Sequence, residues 1–243
     1  MTGADQIDGW NAALEHLDAP GILTWAAETF PGRVALASSL GLEDQVLTGL
    51  VVRDSLAIPV FTIDTGRLFQ ESHELIDRTR ARYGIAVRVL FPDAAEVEPM
   101  VAEHGTELFR TSVELRKRCC AVRKLGPLRR ALEGLDAWVC GLRRGQAVTR
   151  SEVAPVEWDE ANGLVKVNPL WDWTGERVRE HVREHDVPYN PLHDRDFPSI
   201  GCAPCTRAVA PGEDARAGRW WWEAPEHREC GLHARRSPGD GET

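Results

Sequence analysis

Segments with the pattern of buried strands alternate with helical segments through the first part of this chain. Strand-like apolar runs occupy residues 33–38, 58–64, 86–91 and 137–142, and helical patterns lie between them. Such alternation is typical of parallel strands joined by helical crossovers. It predicts an α/β fold with a doubly wound, mostly parallel sheet, whose functional sites lie beyond the carboxyl ends of the strands.

The other predicted elements surround this sheet. Two short helices precede the first strand, further helices are predicted at 43–53 and 70–83, and basic helical segments at 113–133. The stretches "VAPVEW" and "LVKVNPL" predict an antiparallel hairpin, and "TGERVREHVREH" predicts a helix. After residue 186 the chain is rich in Pro, Gly and Asp, which predicts irregular structure and a flexible C-terminal tail.

Charge and hydropathy exclude several classes of function. The formal net charge of −9 argues against a nucleic-acid binder, because phosphate contacts need a basic surface. No apolar run approaches the roughly 20 residues that span a bilayer, and the N-terminus lacks a signal-peptide pattern. We therefore expect a cytoplasmic protein that does not bind membranes. In a reducing cytosol its six cysteines are expected to be metal ligands, catalysts or buried thiols.

Two turns at strand ends are candidate anion sites. "SSLGLEDQ" at 38–45 follows the first strand, and "DTGRLF" at 64–69 follows the second. Small residues at a helix N-terminus let backbone N–H groups approach an anion, although ordinary helix capping favours the same residues. Neither turn is a Walker A loop or a G-x-G-x-x-G turn. Their positions at neighbouring strand ends predict one crevice.

Four cysteines form two pairs. Cys119 and Cys120 lie among five cations in "LRKRCCAVRK", and Cys202 and Cys205 form a C-x-x-C motif in "SIGCAPCTRA". Cations stabilise thiolates, whereas a basic surface helix with incidental cysteines is the alternative. Four thiols are the number needed for a tetrahedral zinc ion or an iron–sulfur cluster, and the spacing does not choose between them.

The remaining two cysteines differ from each other. Cys230 in "RECGLH" has Arg228 and His233 nearby, a setting that makes a thiol nucleophilic, although it could also be an unpaired cysteine in a frayed terminus. Cys140 lies in the apolar run "AWVCG", which indicates a buried, inert thiol.

Two arginine-rich stretches are candidate anion binders. "GLRRGQAVTR" places Arg143 and Arg144 at the end of the fourth predicted strand, and "GEDARAGRWWWE" carries Arg216 and Arg219. Guanidinium groups suit phosphate or sulfate, but surface ion pairs are the ordinary alternative. The triple tryptophan 220–222 is more typical of packing than of binding.

In their order and joint presence these motifs resemble the assimilatory adenylylsulfate reductase family, a branch of the PP-loop proteins related to phosphoadenylylsulfate reductases. The resemblance runs from about residue 33 to residue 233. It implies an adenine nucleotide α-hydrolase-like fold and division into a reductase domain with an iron–sulfur site (1–210) and a tail with the catalytic cysteine (211–243). The motifs are "SSLGLEDQ", "DTGRLF", "CCAVRK", "GLRRGQ", "VPYNPLHDRDFPSIGCAPCTRA", "GEDARAGRWWW" and "ECGLH".

The resemblance also implies residue roles. Cys230 is the nucleophile that attacks adenosine 5′-phosphosulfate, expels AMP and becomes an S-sulfocysteine. The cysteine doublet and the C-x-x-C motif together hold one [4Fe–4S] cluster, and Arg123 and Lys124 link it electrostatically to the sulfate. The cluster ligands would be Cys119, Cys120, Cys202 and Cys205, and the substrate-binding residues Ser38, Ser39, Gly41, Asp64, Thr65, Lys124, Arg144, Arg216, Arg219 and His233.

Release of sulfite needs a second thiol, and no other cysteine lies near Cys230 in the sequence. We therefore expect thioredoxin or glutaredoxin to be the electron donor, in a pathway of sulfate assimilation and cysteine biosynthesis. The oligomeric state is left open, a homo-oligomer included.

Three alternatives stay open. The first is reduction of 3′-phosphoadenylylsulfate or of both substrates, although relatives specialised for it generally lack the four cluster cysteines. The second is a PP-loop ATP pyrophosphatase, which would use S-G-G-x-D-S where this chain has "SSLGLED". The third is a binding module stapled by zinc through the same four thiols.

Overall fold

The structure is a computed structural model, and it describes residues 3–146, 153–224 and 228. The chain divides into two compact units. The first unit comprises 1–62, 70–88 and 134–191, and the second comprises 63–69, 89–133 and 192–243.

A six-stranded sheet forms the framework, in the order β3-β2-β1-β4-β6-β5. β1 pairs in parallel with β2 and with β4, and β4 pairs in parallel with β6. β5 and β6 form an antiparallel hairpin. The predicted mostly parallel α/β sheet and the hairpin are therefore confirmed. The strands are β1 (Val34–Ser38), β2 (Val60–Ile63), β3 (Val87–Leu90), β4 (Ala137–Val139), β5 (Val156–Asp159) and β6 (Leu164–Val167).

The central strands read as apolar runs because both of their faces are buried. All three residues of β4 are buried, as are four of the five residues of β1. Parallel strands covered on both faces show this continuous apolar pattern instead of alternation. α3 is buried on most of its circumference, including the polar residues Asp44, Gln45 and Thr48.

The helices agree with the predicted segments with one exception. α5 was not predicted; it contains Pro99 and begins after Asp93, whose side chain accepts a hydrogen bond from the Ala95 N–H. The helices are α1 (Ile7–Leu14), α2 (Ala19–Thr29), α3 (Leu42–Arg53), α4 (Gln70–Tyr83), α5 (Ala94–His104), α6 (Val113–Cys120), α7 (Gly126–Leu132) and α8 (Gly175–Glu184).

The second unit carries the basic helical segment. α6 begins at the N-cap Ser112, whose Oγ accepts a hydrogen bond from the Leu115 N–H, and a π-helical turn, Ala121–Leu125, joins it to α7. After residue 186 the described chain forms short 3₁₀ turns at Pro191–Arg195 and Ala203–Cys205, in agreement with the predicted irregular structure. The predicted flexible end of the tail, 229–243, lies outside the described residues.

Among the helices that the structure describes, none has the length and apolar character needed to cross a membrane.

Candidate active site and cysteine cavity

The loop after β1 belongs to the first unit and contains three residues predicted to bind the substrate. Ser38 is buried at the end of β1, and its Oγ accepts a hydrogen bond from the Leu40 N–H at 3.2 Å. Leu40 has a φ of 64°, and Gly41 is the N-cap of α3. The strand thus turns within three residues into a helix N-terminus, which is the geometry that an anion site requires.

Asp44 holds this loop in shape. Its Oδ2 accepts hydrogen bonds from the Ser39 N–H at 2.7 Å and from Ser39 Oγ at 2.6 Å, and its Oδ1 accepts one from the Gly141 N–H at 2.9 Å. Burial raises the pKa of the Asp44 carboxyl to about 6, although the bonds from Ser39 and Gly141 act in the opposite direction. One buried carboxylate therefore joins the loop after β1 to the chain beyond β4.

The backbone beyond β4 lies against the first turn of α3. A Cβ added to Gly141 would lie 2.6 Å from Asp44 Oδ1 and 2.6 Å from the Glu43 Cβ. No side chain fits at such distances, so only glycine lets the Gly141 N–H reach Asp44.

Arg143 and Arg144 are both held by contacts inside the first unit. Arg143 Nε donates to Glu43 Oε1 at 2.8 Å. Arg144 Nε donates to the Val153 carbonyl at 2.8 Å, and its guanidinium lies over the ring of Trp171, 4.3 Å from the centroid. The substrate contact of Arg144 stays a prediction.

The second unit brings the two cysteine pairs together. Cys119, Cys120, Cys202 and Cys205 line one cavity, and each is 8% exposed. The doublet forms the last two residues of α6, and the C-x-x-C motif brackets a 3₁₀ turn. The four cysteines belong to a buried cluster that also contains Met100, Leu108, Phe109 and Trp220.

Only some of the cations near the cysteine doublet in the sequence line the cavity, and one further cation comes from a distant part of the chain. Of the five cations in 115–124, Arg116, Arg123 and Lys124 line the cavity, together with Arg67 from the turn after β2. Lys117 is exposed, and Arg118 lies at the surface. Arg116, Cys120 and Lys124 recur every four residues along α6 and the π-helical turn that follows it.

Arg118 contacts surface partners instead of the cavity. Its Nη1 lies 2.7 Å from His104 Nε2, and its Nη2 lies 3.5 Å from a carboxylate oxygen of Glu103.

The surroundings shift the pKa values of the cavity thiols in different directions. Burial raises the pKa of Cys119 and raises that of Cys205 to about 12. Burial also opposes ionisation of Cys202, but Lys124, the hydroxyl of Thr65 and nearby arginines bring its pKa below the ordinary value. Cys119 and Cys205 would therefore need further positive charge to become thiolates, which a bound metal centre supplies.

The surroundings of the four cysteines include buried N–H groups. Within the described ranges, no three side chains of His, Cys, Asp or Glu are grouped as ligands of a single metal ion. Trp220 Nε1 and Arg123 Nε are buried, and neither has a hydrogen-bond partner among the residues that the structure describes. Both residues line the cavity, so a group with sulfur acceptors would meet N–H donors there.

The turn after β2 belongs to the same cavity. Thr65 Oγ1 lies 3.2 Å from Cys202 Sγ, and the Thr65 carbonyl accepts a hydrogen bond from Arg123 Nη1 at 2.8 Å. Asp64 Oδ1 accepts one from the Gly66 N–H at 2.8 Å, which closes the turn. Thr65 is thus a neighbour of a cysteine pair, and the nucleotide contacts predicted for Asp64 and Thr65 stay predictions.

The other predicted substrate residues lie in the C-terminal segment. Arg219 is buried, and its Nη1 lies 3.3 Å from both Ser199 Oγ and the Ile200 carbonyl. Arg216 Nη2 donates to the Arg228 carbonyl at 3.1 Å. The predicted nucleophile and the predicted substrate ligand of the last motif, Cys230 and His233, lie outside the described residues.

Cys140 is buried as predicted. Its thiol donates to Asn168 Oδ1 at 3.3 Å, and burial raises its pKa to about 12. A thiol that stays protonated is a poor nucleophile.

Sequence reasoning missed three residues that shape these sites. Asp44 lay inside a quoted motif without a role, Arg67 was not connected with the cysteines, and Glu223 was not singled out. Each has a partner distant in sequence: Asp44 contacts Gly141, Arg67 contacts Glu107, and Glu223 contacts Arg116.

A mostly parallel sheet whose first strand turns through two serines and a glycine into a helix defines an α/β protein of the adenine nucleotide α-hydrolase-like class. Residues 33–208 match the phosphoadenosine phosphosulfate reductase domain. The chain belongs to this family.

Similar proteins from several bacteria are named adenosine 5′-phosphosulfate reductase. The adenosine 5′-phosphosulfate reductase of Allochromatium vinosum is 54% identical over 202 residues, covering 83% of this chain and 79% of that protein. The adenosine 5′-phosphosulfate reductase of Sinorhizobium fredii is 50% identical, covering 92% of this chain and 88% of that protein.

Solved structures agree with the fold. The phosphoadenylyl-sulfate reductase of Candida auris, in a phosphate complex, matches with a TM-score of 0.74 and 28% identity, covering 86% of this chain and 98% of that one. An FMN adenylyltransferase of Candida glabrata matches with a TM-score of 0.53 at 18% identity, covering 80% of this chain and 65% of that one, a likeness of fold alone.

Gly141→Ala tests the junction between Asp44 and the chain beyond β4. We expect the free energy of unfolding to fall by about 1–3 kcal/mol, because the new methyl group overlaps the carboxylate. Gly9→Ala is the matched control: a Cβ there meets nothing within 4 Å, so helix propensity should stabilise that variant by up to about 1 kcal/mol. Urea unfolding followed by circular dichroism measures both, and equal stability of the two variants would contradict the account.

Proposed function

We propose that this chain is an adenosine 5′-phosphosulfate reductase, which converts adenosine 5′-phosphosulfate and a dithiol into AMP, sulfite and a disulfide. The observation that carries the proposal is the 54% identity to an enzyme of that name over most of both chains, together with the family match. The loop at Ser38, Ser39 and Gly41 supports it, since its helix N-terminus suits a phosphate or a sulfate.

The chemistry we propose is nucleophilic. The Cys230 thiolate attacks the sulfur of the sulfonyl group, the bond from that sulfur to the bridging phosphate oxygen breaks, and AMP leaves with the bonding electrons. The sulfonyl group then sits on Cys230 as an S-sulfocysteine. We assign Arg144, Lys124, Arg216, Arg219 and His233 to the phosphosulfate, with Asp64 and Thr65 beside the nucleotide.

A dithiol protein completes the cycle. Its first thiolate attacks Cys230 Sγ and displaces sulfite, which forms a mixed disulfide, and its second thiol then releases Cys230 and leaves the donor oxidised. Thioredoxin or glutaredoxin supplies these two electrons in our proposal, and the reaction belongs to sulfate assimilation in the cytoplasm, where dithiols are kept reduced. We further propose residues 1–210 as the reductase domain and 211–243 as the tail that delivers Cys230.

We assign Cys119, Cys120, Cys202 and Cys205 as ligands of a [4Fe–4S] cluster. The donor set fits, because four buried thiols share a cavity lined with cations and with N–H donors that lack partners among the described residues. When bound, the cluster would supply structure to this part of the second unit and a fixed electrostatic field. Lys124 and Arg123 offset the negative charge of the four thiolates.

Reaction with adenosine 5′-phosphosulfate in the absence of reductant tests the nucleophile. We expect mass spectrometry to find a sulfonate on Cys230, which disappears when thioredoxin is added and is absent in Cys230→Ser. Cys140→Ser is the matched control and should still form the adduct, because that thiol is buried and protonated. Sulfite production by Cys230→Ser at the normal rate would refute the mechanism.

The same assay separates the two possible substrates. The names of the relatives favour adenosine 5′-phosphosulfate. If the Cys230 adduct forms faster with the 3′-phosphorylated nucleotide, the preferred substrate is 3′-phosphoadenylylsulfate instead.

Metal analysis after purification without oxygen tests the cofactor. We expect a brown protein that contains iron and inorganic sulfide in equal amounts, and Cys202→Ala should lose both because one ligand of the cluster is missing. The control Cys140→Ala should keep them, since Cys140 lies in the other unit. A colourless protein that contains zinc would instead support the zinc-stapled module.

A further inference from the structure

A buried ion pair joins the helix that carries the cysteine doublet to the C-terminal segment. Arg116 Nε donates to Glu223 Oε1 at 3.0 Å, and Arg116 Nη2 donates to Glu223 Oε2 at 2.9 Å. The two side chains are 0% and 3% exposed. Arg116 lies one helical turn before Cys120, and its guanidinium stands 4.9 Å from the ring centroid of Trp220.

A buried ion pair of this kind fixes the relative position of two chain segments more than it raises the stability of the fold. Removing two charges from water costs about as much as their attraction returns, so apolar side chains of similar volume would stabilise the same site equally well. The bidentate contact, in contrast, fixes both the distance and the orientation of the two backbones. The pair therefore fixes the position of residue 223 relative to α6.

The contacts continue from Glu223 toward the last motif of the sequence. Arg228 Nε donates to the Glu223 carbonyl at 3.0 Å, and Arg228 Nη2 lies 3.5 Å from the Trp221 carbonyl. The Arg228 carbonyl in turn accepts a hydrogen bond from Arg216 Nη2 at 3.1 Å. A continuous series of bonds thus runs from α6 to the backbone two residues before Cys230.

We propose that Glu223 and Arg228 are positioning residues that direct Cys230 from the cysteine helix. The inference rests on the proposed function of Cys230. Both residues act through the nucleophile: Glu223 fixes the segment on Arg116, and Arg228 carries that constraint to the E-C-G-L-H motif. Displacing a reacting thiol by about 1 Å lowers the reaction rate on the order of 100-fold. A small displacement of Cys230 should therefore slow the reaction strongly.

The same segment contains a matched control pair. Arg207 Nη1 and Nη2 donate to the two carboxylate oxygens of Glu213 at 2.9 and 2.8 Å, so this pair also has two hydrogen bonds, although Arg116 uses Nε and Nη2. That pair is 37% and 34% exposed. Glu213→Gln therefore makes the same chemical change in a surface ion pair.

The test uses iron-loaded enzyme purified without oxygen and a single turnover with adenosine 5′-phosphosulfate and no reductant. We expect Glu223→Gln to slow formation of the Cys230 adduct by roughly tenfold or more. Glu213→Gln should stay within about twofold of the parent rate, because exposed pairs contribute little. Nucleotide affinity, measured in a Cys230→Ser background, should change by less than about twofold in Glu223→Gln, because positioning acts on the reaction and not on binding.

Arg228→Lys provides the second variant, because it leaves the buried pair and the cavity intact. It keeps the positive charge near Cys230 but loses the guanidinium fork that reaches the Glu223 and Trp221 carbonyls. We expect slower adduct formation and an unchanged pH dependence of Cys230 alkylation by iodoacetamide. A rate equal to that of the parent, or a loss explained by a shifted alkylation profile, would overturn the positioning role. This variant decides the question if Glu223→Gln fails to retain iron.

Hydrogen exchange separates this inference from the proposed function. Peptides that cover residues 216–228 should exchange faster in Glu223→Gln than in Glu213→Gln, whether or not the parent forms an adduct. Equal exchange in the two variants would overturn the proposal. Absence of any adduct in the parent enzyme, with the expected difference in exchange, would overturn the proposed chemistry and leave the structural link standing.

Discussion

Four buried thiols in one cavity constrain the second unit more than any other feature. They come from the end of α6 and from the C-x-x-C turn, and the chain between them must return Cys202 and Cys205 to Cys119 and Cys120. Thiolates in a buried site need compensating charge, since burial opposes ionisation. Arg67, Arg116, Arg123 and Lys124 supply that charge from two parts of the chain.

Two arginines that line this cavity also contact other parts of the second unit. Arg123 faces the thiols and also closes the turn after β2 through the Thr65 carbonyl, while Thr65 contacts Cys202. Arg116 faces the thiols and also holds Glu223. Two of the cations that line the cavity, Arg123 and Arg116, therefore also hold the loop after β2 and the C-terminal segment.

In the first unit, one buried carboxylate joins two loops. Asp44 fixes both the Ser39 turn and the Gly141 backbone by accepting hydrogen bonds from their N–H groups. Glycine at 141 makes the approach possible. Buried carboxylates thus order chain in both units, Asp44 in the first and Glu223 in the second.

Much of the fold was predictable, because its strongest signals are local. The strands β1, β2 and β4 are apolar runs in a sheet covered on both faces, and the period of α4 and α8 is clear in the sequence. α5 was missed because Pro99 weakens its helical pattern, although Asp93 provides a cap.

The site was predictable only where residues are neighbours in the sequence or match a family motif. Burial of Cys140 followed from its apolar run. The pairing of Asp44 with Gly141 spans 97 positions, and that of Arg116 with Glu223 spans 107. Nothing local in a single sequence distinguishes such buried carboxylates from solvated ones.

The central claim is that the four cavity thiols hold a centre that does not itself react, while the isolated Cys230 performs the chemistry. Electron paramagnetic resonance and visible absorption of the iron-loaded protein, recorded while adenosine 5′-phosphosulfate is turned over, test this claim most directly. The account predicts stoichiometric sulfonation of Cys230 before a dithiol is added and release of sulfite afterwards, with no change in the oxidation state of the centre at either stage. A sulfonate on Cys119, Cys120, Cys202 or Cys205, or a centre that changes oxidation state as sulfite forms, would contradict it.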